Sequence, residues 1–266
     1  MSDFLKQMVQ SSRDRVSAAE VSFTDDDLDR PVRPLQLAGF DLIAEIKNRS
    51  PAEGELATSD ENRVDRARRY VAGGAAAISV LTEPERFDGD LLHLEEVVNA
   101  VDVPVMRKDF LVDPVQVLEA KAAGASGILL IAAMLDRQSL AAMLDCAFEH
   151  GLFVLLESFD QADLALTSAL LERSTYRERA EKAQLLVGVN TRNLRTLQVD
   201  PDRLEDLGPS LPENVTAVAE SGLHTPGDAG AVVGWGYRMA LVGTALMRAD
   251  DSAGLIAGML AAGRAA

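Results

Sequence analysis

Eight short runs of Val, Ile, Leu and Ala recur along the chain, and their starts fall 23 to 34 residues apart. They cover residues 41–47, 75–83, 104–109, 127–134, 153–158, 185–190, 216–221 and 239–244. Most are nearly continuous rather than alternating, as in parallel strands covered on their outer face by helices. Helix end signals lie between them. Asp113-Pro114 and Thr225-Pro226 each place a capping residue before Pro, Asp136 opens a further helix, and Gly124 and Gly151 close two. Eight such units predict an α/β protein, a (β/α)8 TIM barrel in one domain over residues 1–266. A doubly wound open sheet is the structural rival. The absence of Gly-x-Gly-x-x-Gly after the first run counts against its dinucleotide-binding form.

Two segments break the rhythm. Residues 1–40 read as an N-terminal helical extension, with Phe4, Leu5, Met8, Val9 and Val16 on a helical stripe, followed by the acidic run Asp25-Asp26-Asp27. Residues 160–184, rich in Glu and Arg, read as one long helical region with a solvated face.

Charge narrows the function classes. There are 42 acidic and 26 basic residues, a net charge of −16. A nucleic-acid binder needs a cationic face, so no nucleic-acid partner is expected. The longest weakly polar run, 124–135, is shorter than the about 20 residues that span a bilayer, so no membrane partner is expected. One cysteine, Cys146, and an N-terminus without a signal-peptide pattern predict a cytoplasmic protein, by default a monomer. Only Lys6, Lys47, Lys108, Lys121 and Lys182 are lysines; the remaining basic residues are arginine. An acidic, lysine-poor surface repels itself in dilute buffer and is screened in molar salt, where the Debye length is about 3 Å. It predicts a halophilic, archaeal source.

In a barrel the chemistry sits where strands give way to loops. The first run ends in Glu45-Ile46-Lys47, and a period of two puts Glu45 and Lys47 on one face. The third ends in Lys108-Asp109-Phe110, which aims a cation and a ring into the same mouth. The fifth ends at Glu157, the sixth at Asn190-Thr191-Arg192, the seventh at Glu220-Ser221-Gly222 and the eighth at Gly243-Thr244. Small residues after the last two strands let backbone N–H groups approach a phosphate. Each pattern alone also fits a structural ion pair, an exposed strand end or a tight turn. His93, His150 and His224 lack metal-ligand spacing, and one cysteine cannot build a zinc site, so no metal is expected. Cys146 and Trp235 read as packing residues.

The segments Ile43–Pro51, Ser79–Glu83 with Phe87-Asp88-Gly89, Val105–Phe110, Gly124–Ile131, Val189–Leu194, Ala219–Gly222 and Leu241–Met247 resemble the indole-3-glycerol phosphate synthase family of tryptophan biosynthesis. They keep the family order from about residue 40 to 250. Glu-x-Lys-x-x-Ser-Pro and Lys-Asp-Phe are its most specific motifs.

The resemblance implies a cofactor-free lyase. Its small-molecule phosphorylated substrate is 1-(2-carboxyphenylamino)-1-deoxyribulose 5-phosphate, and its products are indole-3-glycerol phosphate, CO2 and water. By the same resemblance, Lys108 protonates the carbonyl oxygen, with Glu157 as proton holder or base. Lys47 contacts the substrate carboxylate and acts in dehydration, with Glu45 as base partner. Asn190 and Ser221 bond the polyol, oriented by Glu220. Phe110 walls the ring, Ser50, Gly222, Gly243 and Thr244 hold the phosphate, and Arg192 is a nearby cation. Asn193, Thr244 and the wording after Glu157 depart from the family pattern. Other phosphate-binding barrels of tryptophan or histidine synthesis, such as isomerases, are expected to carry Cys/Asp or Asp/Asp at the rim. A non-catalytic barrel binding a phosphometabolite would have lost Lys47 or Lys108; both are present.

Overall fold

The computed structural model describes residues 2–18, 22–50, 54–56, 62–195 and 198–266. Eight parallel strands form a closed barrel: Asp41–Ile46, Ala77–Leu81, Val105–Lys108, Gly127–Ile131, Phe153–Ser158, Leu185–Asn190, Thr216–Glu220 and Met239–Val242, here the first to eighth strands. Each pairs with its sequence neighbours, and the eighth closes onto the first through Asp41↔Met239 to Ala44↔Val242. The ring excludes the open-sheet rival.

Alternation within each run decides what faces where. Leu42, Ala44 and Ile46 of the first strand turn outward and pack with helix residues such as Tyr70 and Ile256. Ile43 turns inward, into a second apolar cluster with Met106, Leu129, Leu155, Leu186, Val218 and Leu241. Both faces are buried, which is why the strands read as apolar runs.

The helix signals act as local chemistry requires. Asp113 and Thr225 accept from backbone N–H groups in capping boxes closed by Gln116 and Asp228, and Asp136 accepts from Ser139 N–H. Gly124 and Gly151 adopt positive φ, +86° and +74°, in the turns that end two helices. Several runs yield shorter strands than their composition suggests. The fourth passes into a 3-10 turn over Ala132–Met134, and the eighth stops at Val242 because Thr244 begins a helix. Region 160–184 is two helices, Gln161–Leu171 and Ser174–Glu181, rather than one.

Among residues 1–40, a helix runs over Asp3–Ala18 and one turn over Asp25–Leu28, where Thr24 caps the acidic run. Leu5, Met8 and Val9 of the longer helix join the inner apolar cluster. The helix is tied down at both ends. Ser2 Oγ donates to the Leu194 carbonyl (2.8 Å), and Arg15 donates twice to Asp109 (2.9 and 2.8 Å). It therefore lies across the end of the barrel where the strands terminate. No helix among the described residues is long and apolar enough to cross a membrane.

Candidate active site

The inward positions at the ends of the four odd-numbered strands carry Glu45, Lys108, Glu157 and Glu220. In (β/α)8 barrels the side chains of alternate strands share a layer, and here one layer is charged. All four are buried or nearly so. Glu45 accepts from two ammonium groups, Lys47 at 2.7 Å and Lys108 at 3.2 Å, one on each carboxylate oxygen. It is thus the counter-ion of both lysines, not of Lys47 alone. Glu157 instead accepts from Asn190 Nδ2 at 3.1 Å, and Asn190 Oδ1 accepts from Arg192 N–H at 2.9 Å.

Electrostatics sort these groups. Burial pushes the Glu45 carboxyl up, but Lys108 and Lys47 outweigh it and bring it down to about 2. Burial disfavours the Lys108 ammonium, yet Glu45, Glu157 and Glu220 more than compensate, so its pKa lies above the ordinary lysine range. Glu157 is raised by burial, against Lys108 and Asn190. Glu220 is raised further, by burial and by the neighbouring Glu157.

Room for these side chains comes from inward glycines. A Cβ on Gly243 would overlap Glu45 Oε1 and lie 2.9 Å from Lys47 Nζ. Gly243 therefore stands behind the ion pair as well as on the rim, and Gly188 makes a similar gap beside Glu220. Ser221 and Gly222 both have positive φ, +65° and +78°. For Ser221 that is a strained choice, and such strain clusters at ligand sites.

One cavity of about 570 Å³ gathers Glu45, Lys47, Lys108, Phe110, Glu157, Asn190, Arg192, Glu220, Ser221, Gly222, Gly243 and Thr244. These residues are spread from the first strand to the eighth, and the closed ring brings them to one mouth. The side chain of Ser50 lies outside the described residues, as does Pro51. The loop around them forms a small ladder in which Arg49–Ser50 pairs with Gly54–Glu55.

Two features of this mouth are not legible in the sequence. Phe110 packs edge-on against Phe4 (6.0 Å between ring centroids, 77°) and against Phe87 (6.3 Å), and all three rings line the cavity. Phe4 had the appearance of one more apolar residue on a stripe. Its extra position at the start of the stripe was the available signal. Asp109, next to Lys108, is buried and accepts from Arg15, Arg107, Thr82 Oγ1 and the Phe110 N–H. No group of three or more His, Cys, Asp or Glu suited to a metal occurs among the described residues.

Residues 5–259 match the family model described as indole-3-glycerol phosphate synthase. The chain is 44% identical over 233 residues to a protein of that name from a Nocardioides species, covering 86% of this chain and 85% of that one. It is 45% identical over 229 residues to one from Methanopyrus kandleri, covering 85% of each. Against one from Mycobacterium leprae the identity is 41%, over 86% of this chain and 79% of the other. Among solved structures, 3-hexulose-6-phosphate synthase from Salmonella typhimurium superposes with a TM-score of 0.62 at 16% identity, covering 84% of this chain and 98% of that one. Thiamine phosphate pyrophosphorylase from Pyrococcus furiosus gives 0.54 at 15%, covering 84% and 94%. These two share the fold alone.

Proposed function

The chain belongs to the indole-3-glycerol phosphate synthase family, and from that membership together with the charged mouth we infer how its own residues perform the reaction. The protein is a carboxy-lyase of tryptophan biosynthesis. It closes the pyrrole ring of 1-(2-carboxyphenylamino)-1-deoxyribulose 5-phosphate, releasing CO2 and water.

The aromatic carbon that bears the carboxylate attacks the ribulose carbonyl carbon. A C–C bond forms, and the carbonyl oxygen takes a proton from Lys108, which Glu45 and the neighbouring glutamates keep charged. CO2 departs and leaves its electron pair in the ring. The new hydroxyl then leaves as water with a proton from Lys47, while Glu157 removes the proton whose loss makes the indole aromatic. Glu45, held at about 2, is a poor base between two ammonium groups; it serves as their shared counter-ion. A positioned acid or base contributes about 10²–10⁴-fold, and holding both reacting centres in one closed mouth contributes the rest.

Binding divides the mouth. Phe110, with Phe4 and Phe87, flanks the anthranilate ring. Gly222, Gly243 and Thr244, with Ser50, hold the phosphate, and Arg192 adds positive charge. Ser221 bonds the polyol, and Asn190 holds Glu157 in place as well as facing the substrate. One chain's strands supply the rim, which supports action as a monomer; the acidic charge supports a reading without nucleic acid, and the single cysteine one in the cytoplasm. The net charge of −16 with five lysines supports adaptation to concentrated salt and a halophilic archaeal source.

The observation that carries this reading is Glu45 bridging Lys47 and Lys108 beside Glu157. It is tested by following indole fluorescence on addition of the substrate. Wild type produces fluorescent indole-3-glycerol phosphate, and Lys108→Ala and Glu157→Gln each lose about 10²-fold or more in kcat. Undiminished turnover in both variants refutes the assigned roles.

A further inference from the structure

Three buried carboxylate oxygens at the centre of the mouth have no hydrogen-bond partner among the described residues: Glu157 Oε1 and both oxygens of Glu220. Such orphans are rare in folded proteins. The other oxygen of Glu157 already accepts from Asn190. Glu220 Oε1 occupies the side-chain space of Gly188, the register partner of Glu157, so the two carboxyls are neighbours inside the barrel. Two ionised carboxylates can only accept, whereas one proton on either turns the contact into a donor–acceptor bond.

Gly188 makes this approach possible. It is the inward residue of the sixth strand directly beside Glu157, while Glu220 stands beside Asn190, two residues nearer the rim. The Glu220 carboxyl leans back over Gly188. A Cβ there would overlap Glu220 Oε1 and press on Glu220 Cδ and Leu155 Cδ1, each at 3.1 Å. Among the five side chains Glu45, Lys47, Lys108, Glu157 and Glu220, the charges balance with a single proton in place: Glu45 and the Glu157–Glu220 pair then carry two negative charges against those of Lys47 and Lys108. With both carboxyls ionised, this group would carry a surplus negative charge.

We propose that Glu157 and Glu220 act as one acid–carboxylate pair sharing a single proton, and that Gly188 is the positioning residue whose missing side chain keeps the slot open. This rests on Glu157 as the base and adds what holds and orients it. The protonated Glu220 donates to Glu157 and leaves the Glu157 charge available to the reacting ring. Asn190, Lys108 and Glu45 are the other groups that face the pair.

Two measurements on the full-length protein decide it. At neutral pH, the infrared difference spectrum of wild type minus Glu220→Gln shows a carboxylic-acid C=O stretch that the variant lacks; its absence overturns the shared proton. In kinetics, Gly188→Ala lowers kcat by about tenfold or more, but changes it less than about twofold in a Glu220→Ala background, where no carboxyl remains to displace. Equal losses in both backgrounds overturn the role of Gly188. If Gly188→Ala alone does not fold, the comparison of Gly188→Ala/Glu220→Ala with Glu220→Ala still decides, because the slot is then empty. The acid limb of kcat stays close to wild type in Glu220→Gln, whose amide stands in for the protonated carboxyl, and moves to higher pH in Glu220→Ala, where ionised Glu157 loses its donor; an unmoved limb in Glu220→Ala marks a merely structural Glu220. Full turnover by Glu157→Gln would remove Glu157 as base while leaving the infrared result to judge the pair.

Discussion

The two terminal nitrogens of Arg15 meet the two carboxylate oxygens of Asp109 at 2.9 and 2.8 Å, one residue from Lys108 and one from Phe110. A residue of the N-terminal helix thus fixes the chain where the third strand delivers both its cation and its ring. Arg107 and Thr82 bond the same carboxylate, so the strand end keeps partners if Arg15 is lost.

Arg15→Met should therefore fold, with stability lowered by about 1–3 kcal/mol for a hydrogen bond to a charged group, and with kcat/KM reduced about tenfold. Thermal unfolding and steady-state kinetics check both. Wild-type kcat/KM in the variant would dismiss the tie as irrelevant to the site.

Glu45→Gln removes the carboxylate that holds Lys108 charged. The Lys108 pKa then falls, and the alkaline limb of kcat shifts to lower pH with a reduced maximum. Stability responds too. The Glu45 carboxyl is depressed to about 2, so its contribution is present above its unfolded pKa of about 4.5 and fades as pH falls towards 2. Glu157 and Glu220, both raised, have the opposite sign: their contribution is present in acid and is lost as pH rises through their folded values. Melting temperature against pH for wild type and Glu45→Gln measures the difference, which should shrink as pH falls from 5 to 2, a window of about three units.

Gly243→Ala should reduce kcat more than it weakens substrate binding. The new methyl would occupy the space of the Glu45 carboxylate and crowd Lys47. A rise in KM alone would show that Gly243 serves only the phosphate.

Phe4→Ala should raise KM about tenfold, the scale of losing part of an apolar wall, with a smaller change in kcat. The Phe110 ring keeps Phe87 as a neighbour. Steady-state kinetics with the substrate reads this directly.

Salt should raise both activity and melting temperature from dilute buffer towards the molar range. Screening weakens the repulsion within a chain of net charge −16 and between it and an anionic substrate. Maximal activity and stability in dilute buffer would refute adaptation to salt.

What was legible in the sequence followed from period and spacing. Glu45 and Lys47 share a face because strand side chains alternate, and the apolar runs announce strands covered on both faces. The strand ends of Lys108, Glu157 and Glu220 point to the same rim once eight units are counted. Pairing was not legible. Whether Glu45 serves one lysine or two depends on the register between the first and third strands, and the Glu157–Glu220 contact on an empty position in the sixth. Nor could the tie between Arg15 and Asp109 be read. It joins residues 94 positions apart, and an arginine on a polar helix face looks like any other solvated residue.

The charged layer divides into two pairs along the chain. Its cation, Lys108, and the anion it touches, Glu45, both come from the first four strands, whereas Glu157 and Glu220 both come from the last four. A cut between the fourth and fifth strands would leave Lys108 with its counter-ion Glu45 on one fragment, and Glu157 with Glu220 on the other. Neither piece carries the whole layer, so turnover is expected only where the two fragments reassemble into one ring.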